Sequence, residues 1–139
     1  MNNSLRTSRI VGSLFIIATV AYSLSAVLLD PILTSSNYLT DIYANENLVI
    51  IGAFLVLIDA VAVAGISIVI YPVLKESNET LALGYVGARI GESVLFSVNV
   101  IITLTLLTLS QEFTEAGTSD LVFYRTSGNV LLAAANWAF

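Results

Sequence analysis

Apolar residues run almost unbroken through three long stretches of this chain, residues 10–29, 48–74 and 81–109, with polar residues between them. The runs show neither the alternation of a half-buried strand nor the polar face of a helix resting on a water-soluble core. About 20 helical residues reach ~30 Å, the thickness of the hydrocarbon core of a bilayer. Each run therefore predicts a membrane-spanning helix. A cleaved signal peptide would have an apolar region of only ~7–15 residues, so the first run is expected to stay as a helix. A fourth apolar segment, residues 126–139, would extend only ~21 Å. It reads as an incomplete span, either part of a longer chain or a segment that dips into the membrane without crossing. The expected fold is all-α: an integral membrane helical bundle with three full transmembrane helices plus a partial fourth, forming one domain over residues 1–139.

Punctuation between the runs sharpens this reading. Asp30-Pro31 predicts the end of the first helix, because proline has no N–H to donate and restricts the residue before it. Tyr71-Pro72 predicts the end of the second in the same way. Residues 38–43 mix two tyrosines, Leu39 and Ile42 with Thr40 and Asp41, which suits a short segment at the headgroup level; an ordinary loop is the alternative. The turn over residues 75–80 is short, so the second and third spans should pack as an antiparallel hairpin. Small residues are expected to bring helices close together in lipid: Gly12, Thr19, Ser23 and Ala26 on one face of the first span, and Ala60, Ala62, Ala64 and Gly65 in the second.

Composition agrees with the pattern. The chain is 57% hydrophobic and only 11% charged, against about 25% charged in soluble domains. Five Lys and Arg residues in total exclude a nucleic-acid surface. There is no Cys and no His, so thiol catalysis, a Ser-His-Asp triad, structural zinc and haem ligation through these residues have nothing to build them. No cofactor or metal is expected. Arg6, Arg9 and Lys75 flank the spans on one side, while residues 30–47 carry three acids and no basic residue. The bias of basic residues places the N-terminus in the cytoplasm, with Arg125 as the exception.

The candidate chemistry lies inside the spans. Asp59 interrupts the second run, and Arg89, Glu92 and Asn99 interrupt the third. On an insertion scale the second span gains about −7 kcal/mol from its large aliphatic and Phe residues, against about +3 for Asp59. The third gains about −6 against as much as +6 for Arg89 and Glu92, so its placement depends on pairing, snorkelling or neighbouring helices. Arg89 and Glu92 are three residues apart and can pair on one face, which continues through Phe96, Asn99 and Thr103. A hairpin centred at residue 77 or 78 sets Asp59 level with Phe96 and Arg89 level with Ile66. That ~10 Å gap disfavours an Asp59–Arg89 bridge and makes Asn99, or another span, the better partner for Asp59.

Four elements together resemble the bacterial membrane family known as domain of unknown function 4386: Arg6-Thr-Ser-Arg9-Ile-Val-Gly12, Asp59 in the second span, Tyr71-Pro-Val-Leu-Lys75, and Arg89-Ile-Gly-Glu92. The resemblance covers most of the chain. It implies a multi-pass protein of the inner membrane with no established activity, and members with further helices beyond the length seen here. Two roles follow for the chain. The first is a structural or accessory membrane subunit, with the lipid bilayer and other membrane helices, or a second copy, as partners. The alternative is a transporter or channel component using Asp59, Arg89, Glu92 and Asn99 as an intramembrane polar network. An enzyme is disfavoured, because no nucleophile–base pair is evident.

Overall fold

The computed structural model describes residues 2–138. Five α-helices follow one another: α1 (Asn2–Leu33), α2 (Tyr38–Ala44), α3 (Glu46–Lys75), α4 (Glu79–Ala116) and α5 (Leu121–Trp137), with a 3-10 turn, Gly117–Asp120, before the last. Among the described residues there is no strand. Three of these helices, α1, α3 and α4, are long and apolar enough to cross a membrane. The fold is an all-α helical bundle.

The surface explains the composition. In the most apolar stretch of α1 only 17% of the residues are buried within the protein, and in α4 only 28%. Phe15, Ile16, Val27, Phe54, Val61, Ile68 and Ile101 all stand more than half exposed. Water would make so broad an apolar surface costly, whereas lipid tails match it. At 30 and 38 residues, α3 and α4 reach ~45 and ~57 Å, so they tilt or overhang a ~30 Å core.

Helix α3 lies at the centre and packs against α1 on one side and α4 on the other, while α1 and α4 scarcely touch. The α1–α3 crossing is tight at Gly52, where an added Cβ would lie 2.6 Å from Leu29 Cγ. There Ser25 Oγ donates to the Gly52 carbonyl at 3.0 Å. The α3–α4 contact carries a similar bond, Ser93 Oγ to the Ala60 carbonyl at 2.8 Å. The hairpin turn is held by Asn78, whose side-chain oxygen accepts from the Leu81 N–H at 3.1 Å and caps α4.

Several expected boundaries move. Helix α1 runs through Pro31 to Leu33, and α3 runs through Pro72 to Lys75. Proline forfeits one intrahelical bond, a small cost near a helix end; after Pro31 core packing offsets it, whereas Pro72 and Val73 are exposed. Ile32, 7% exposed, and Leu33 join the main core cluster with Ile42, Val49 and Leu106. Residues 38–43 form a helix, α2, with Leu39 and Ile42 buried. The small-residue face expected on α1 fits only at Ala26, which is half-buried. Gly12, Thr19 and Ser23 are exposed, whereas Ala18, Ala21 and Ser25 are buried. Small residues occur on both sides of α1, so spacing alone did not choose between them. In α3 the expectation fits better, with Ala60 and Ala62 buried and Ala64 and Gly65 half-buried.

Candidate functional site

Because α1 and α4 diverge over α3, a cleft opens between them, and α5 enters it from the α2 end. The fit of α5 depends on Tyr38, whose hydroxyl donates to Asn129 Oδ1 at 3.0 Å and approaches the Arg125 carbonyl at 3.4 Å. Leu131 and Leu132 of α5 pack on the cluster around Leu106 and Ile42. The cleft then divides in two. A cavity of about 240 Å³ lies among α1, α3, α4 and α5, with Ser25, Asn99, Thr103 and Asn136 among its walls and Asp30 at one end. An open groove of about 520 Å³ follows towards the hairpin, lined by Ala88, Gly91, Glu92 and Phe96. Tyr22 borders both. Its ring sits 6.1 Å from that of Phe96, tilted by 38°, so the aromatic pair marks the boundary between the two spaces.

The four intramembrane polar residues do not form one network. Arg89 Nη1 and Glu92 Oε2 pair at 2.6 Å, the single ion pair among the described residues, with side chains 34% and 40% exposed. Arg89 Nε also donates to the Tyr85 hydroxyl at 3.3 Å, and its guanidinium lies 5.6 Å from the Tyr85 ring centre. These contacts all run along α4, at i,i+3 and i,i+4 spacing. Asn99, 7% exposed, bonds on its own helix too: Thr103 Oγ1 donates to Asn99 Oδ1 at a long 3.5 Å.

Asp59 is different. It is 4% exposed, and among the described residues its carboxylate has no hydrogen bond and no ion pair. No side-chain oxygen or nitrogen of the described residues is both sealed from solvent and unpartnered. A water-sized molecule therefore still reaches the Asp59 oxygens. The charges of both Glu92 and Arg89, on the adjoining helix α4, act on it. The Ser93–Ala60 bond sets the hairpin register about two residues from the expected one, ~3 Å along the axis. The shift follows from the turn, which closes at residues 76–78 with Ser77 and Asn78 donating to the Leu74 carbonyl. It moves Asp59 towards Glu92, away from Asn99. No Asp59–Arg89 bridge forms among the described residues.

Ser25, Tyr22 and Asn136 escaped the reading of the sequence. A signal existed for Ser25, which follows Ala18 and Ala21 at helical spacing and shares their buried face. None existed for Asn136, whose place depends on how α5 docks. Among the described residues no group of three or more His, Cys, Asp or Glu could hold a metal ion.

Comparison with known proteins adds one result. No curated protein and no solved structure matches the chain. The model of the family described as Domain of unknown function (DUF4386) matches residues 10–139, nearly the whole length, and the chain therefore belongs to that family.

Proposed function

We propose that this protein is a multi-pass protein of the bacterial cell membrane, with its N-terminus in the cytoplasm, acting as a component of a transporter or channel. The observation that carries this reading is Asp59: buried, within the apolar stretch of α3, and held by no hydrogen bond or ion pair among the described residues. Ionisable groups at such depth are costly and normally serve a pathway or a partner. A charge retained to dock helices would be tied across a helix interface. Here Ser25, Ser93, Ser110 and Tyr38 make those interhelical bonds instead. That leaves the carboxylate untied among the described residues and not sealed from solvent, so water or a proton can meet it. Glu92 lines the groove and Asn99 the cavity, and these two, with Asp59 and Arg89, then act as separate polar stations. In reconstituted vesicles, Asp59→Asn and Glu92→Gln should abolish flux of a proton or solute while the folded yield is kept. Lowered folded yield with no flux in the unaltered protein would sink the proposal.

The accessory-subunit reading rests on a different observation. Gly84, Gly87 and Gly91 of α4 have no neighbour within 4 Å of an added Cβ. Bare small residues spaced along a membrane helix suit close approach by another helix or a second copy. Gly87→Ile with Gly91→Ile should abolish cross-linked dimers if that face is used. Unchanged cross-linking would remove the support for it.

A further inference from the structure

We propose that the cavity beside Asn99 binds a small uncharged solute carrying both hydrogen-bond donors and acceptors, of the polyol or small-amide class. The proposal rests on the pathway reading above and names the kind of molecule that the cleft takes. Asn99 is 7% exposed, and its side-chain nitrogen has no partner among the described residues while the residue lines the cavity. No unpartnered side-chain nitrogen of the described residues is sealed from solvent, so this amide can donate to whatever fills the cavity. Beside it, Ser25 gives its proton to the Gly52 carbonyl and Thr103 gives its proton to Asn99, so both hydroxyl oxygens keep lone pairs for the cavity. The deep end thus offers two donor hydrogens and two acceptor oxygens, and no charge.

Charge narrows the class further. Among the described residues Asp30 is the only ionisable carboxylate bordering the cavity, and no Lys or Arg borders it. An anion would meet repulsion and no counter-charge. A cation would be held at the Asp30 end, away from the Asn99 amide. An uncharged molecule with hydroxyl or amide groups satisfies Asn99, Ser25 and Thr103 together. A volume of about 240 Å³ equals roughly eight waters at ~30 Å³ each, ample for a solute of four to six heavy atoms with some water.

The chain has no cysteine, which makes the test direct. Ala26→Cys places a lone thiol in the cavity wall of the full chain reconstituted in liposomes. Its modification by a membrane-impermeant thiol reagent should slow several-fold in glycerol or urea. It should stay unchanged in sodium or choline chloride of equal osmolality, and in sucrose, which is too large to enter. Asn99→Leu in that background should remove the protection and leave the labelling rate intact. Thr103→Val should weaken the protection, and serves if Asn99→Leu does not fold. Protection by choline or sodium alone, protection by no solute, no labelling of the thiol, or protection that survives Asn99→Leu would each overturn the proposal. Glycerol- and urea-driven swelling of the same liposomes separates the two readings. Protection without solute flux keeps the binding site and removes the pathway, whereas flux without protection does the reverse.

Discussion

The two ends of the bundle are built differently. At the α2 end, five elements converge and the packing is closed: Ile42 and Val49 are fully buried, Leu106 is 1% exposed, and the Ser110 hydroxyl donates to the Leu39 carbonyl. At the hairpin end only α1, α3 and α4 remain. There Gly84, Gly87 and Gly91 face open space, and the Arg89–Glu92 pair is more than a third exposed on average. Apolar character does not separate the ends, since Leu81 and Leu83 at the open end are as greasy as Leu106 and Leu107. Lipid tails solvate such side chains as well as protein does. Tightness in a membrane therefore follows from close backbone approach and interhelical hydrogen bonds, and the α2 end has more of both.

The largest contrast should come from glycine substitutions. Gly52→Val drives a side chain into Leu29 at the α1–α3 crossing, with an expected loss of about 1–3 kcal/mol. Gly84→Ala should be neutral or stabilise by up to about 1 kcal/mol, since nothing stands nearby. Unfolding in a denaturing detergent reads both, and equal losses would break the contrast.

Serine substitutions follow. Ser110→Ala leaves the Leu39 carbonyl bare in a closed site, costing about 1–3 kcal/mol. Ser93→Ala, in the half-buried α3–α4 seam, should cost about 0.6 kcal/mol, the ordinary value for such bonds in lipid. The same unfolding assay ranks the two.

Asp59→Leu should leave stability unchanged or raised, because among the described residues the carboxylate makes no bond whose loss could offset its removal from an apolar seam. A large loss of folded protein would mean that Asp59 does dock helices.

The smallest effect concerns pH at the closed end. Burial raises the Tyr38 hydroxyl above its ordinary value of 10.0, with the nearby Arg125 charge opposing. The folded protein thus holds the neutral phenol better than the unfolded chain does. This contribution is complete below pH ~10 and is lost as pH rises through the folded-state value. Amide exchange in α5 should therefore quicken above pH 10 in the unaltered protein, with a smaller change in Tyr38→Phe.

By itself the sequence determined the apolar character of the long helices, their number and the Arg89–Glu92 pair. Each of these is a local property: an apolar run sums over its own residues, and i,i+3 neighbours on a helix meet wherever that helix lies. The prolines misled for a related reason. The local cost of Pro31 is small beside the packing of Ile32 and Leu33 into the core, and Pro72 falls in the last turn of its helix, where few bonds remain to lose. The sequence left open which face of α1 is buried, the partnerless state of Asp59 and the cavity at Asn99. Those depend on how each helix is rotated about its axis and slid along its neighbour. Gly52 against Leu29, Ser93 on Ala60 and the turn at residues 76–78 fix that rotation and register. A shift of two residues, worth ~3 Å, was enough to move Asp59 from the level of Phe96 towards Glu92. Hydropathy is nearly blind to such a shift, because sliding one apolar helix along another changes which atoms meet while leaving the total contact with lipid almost the same.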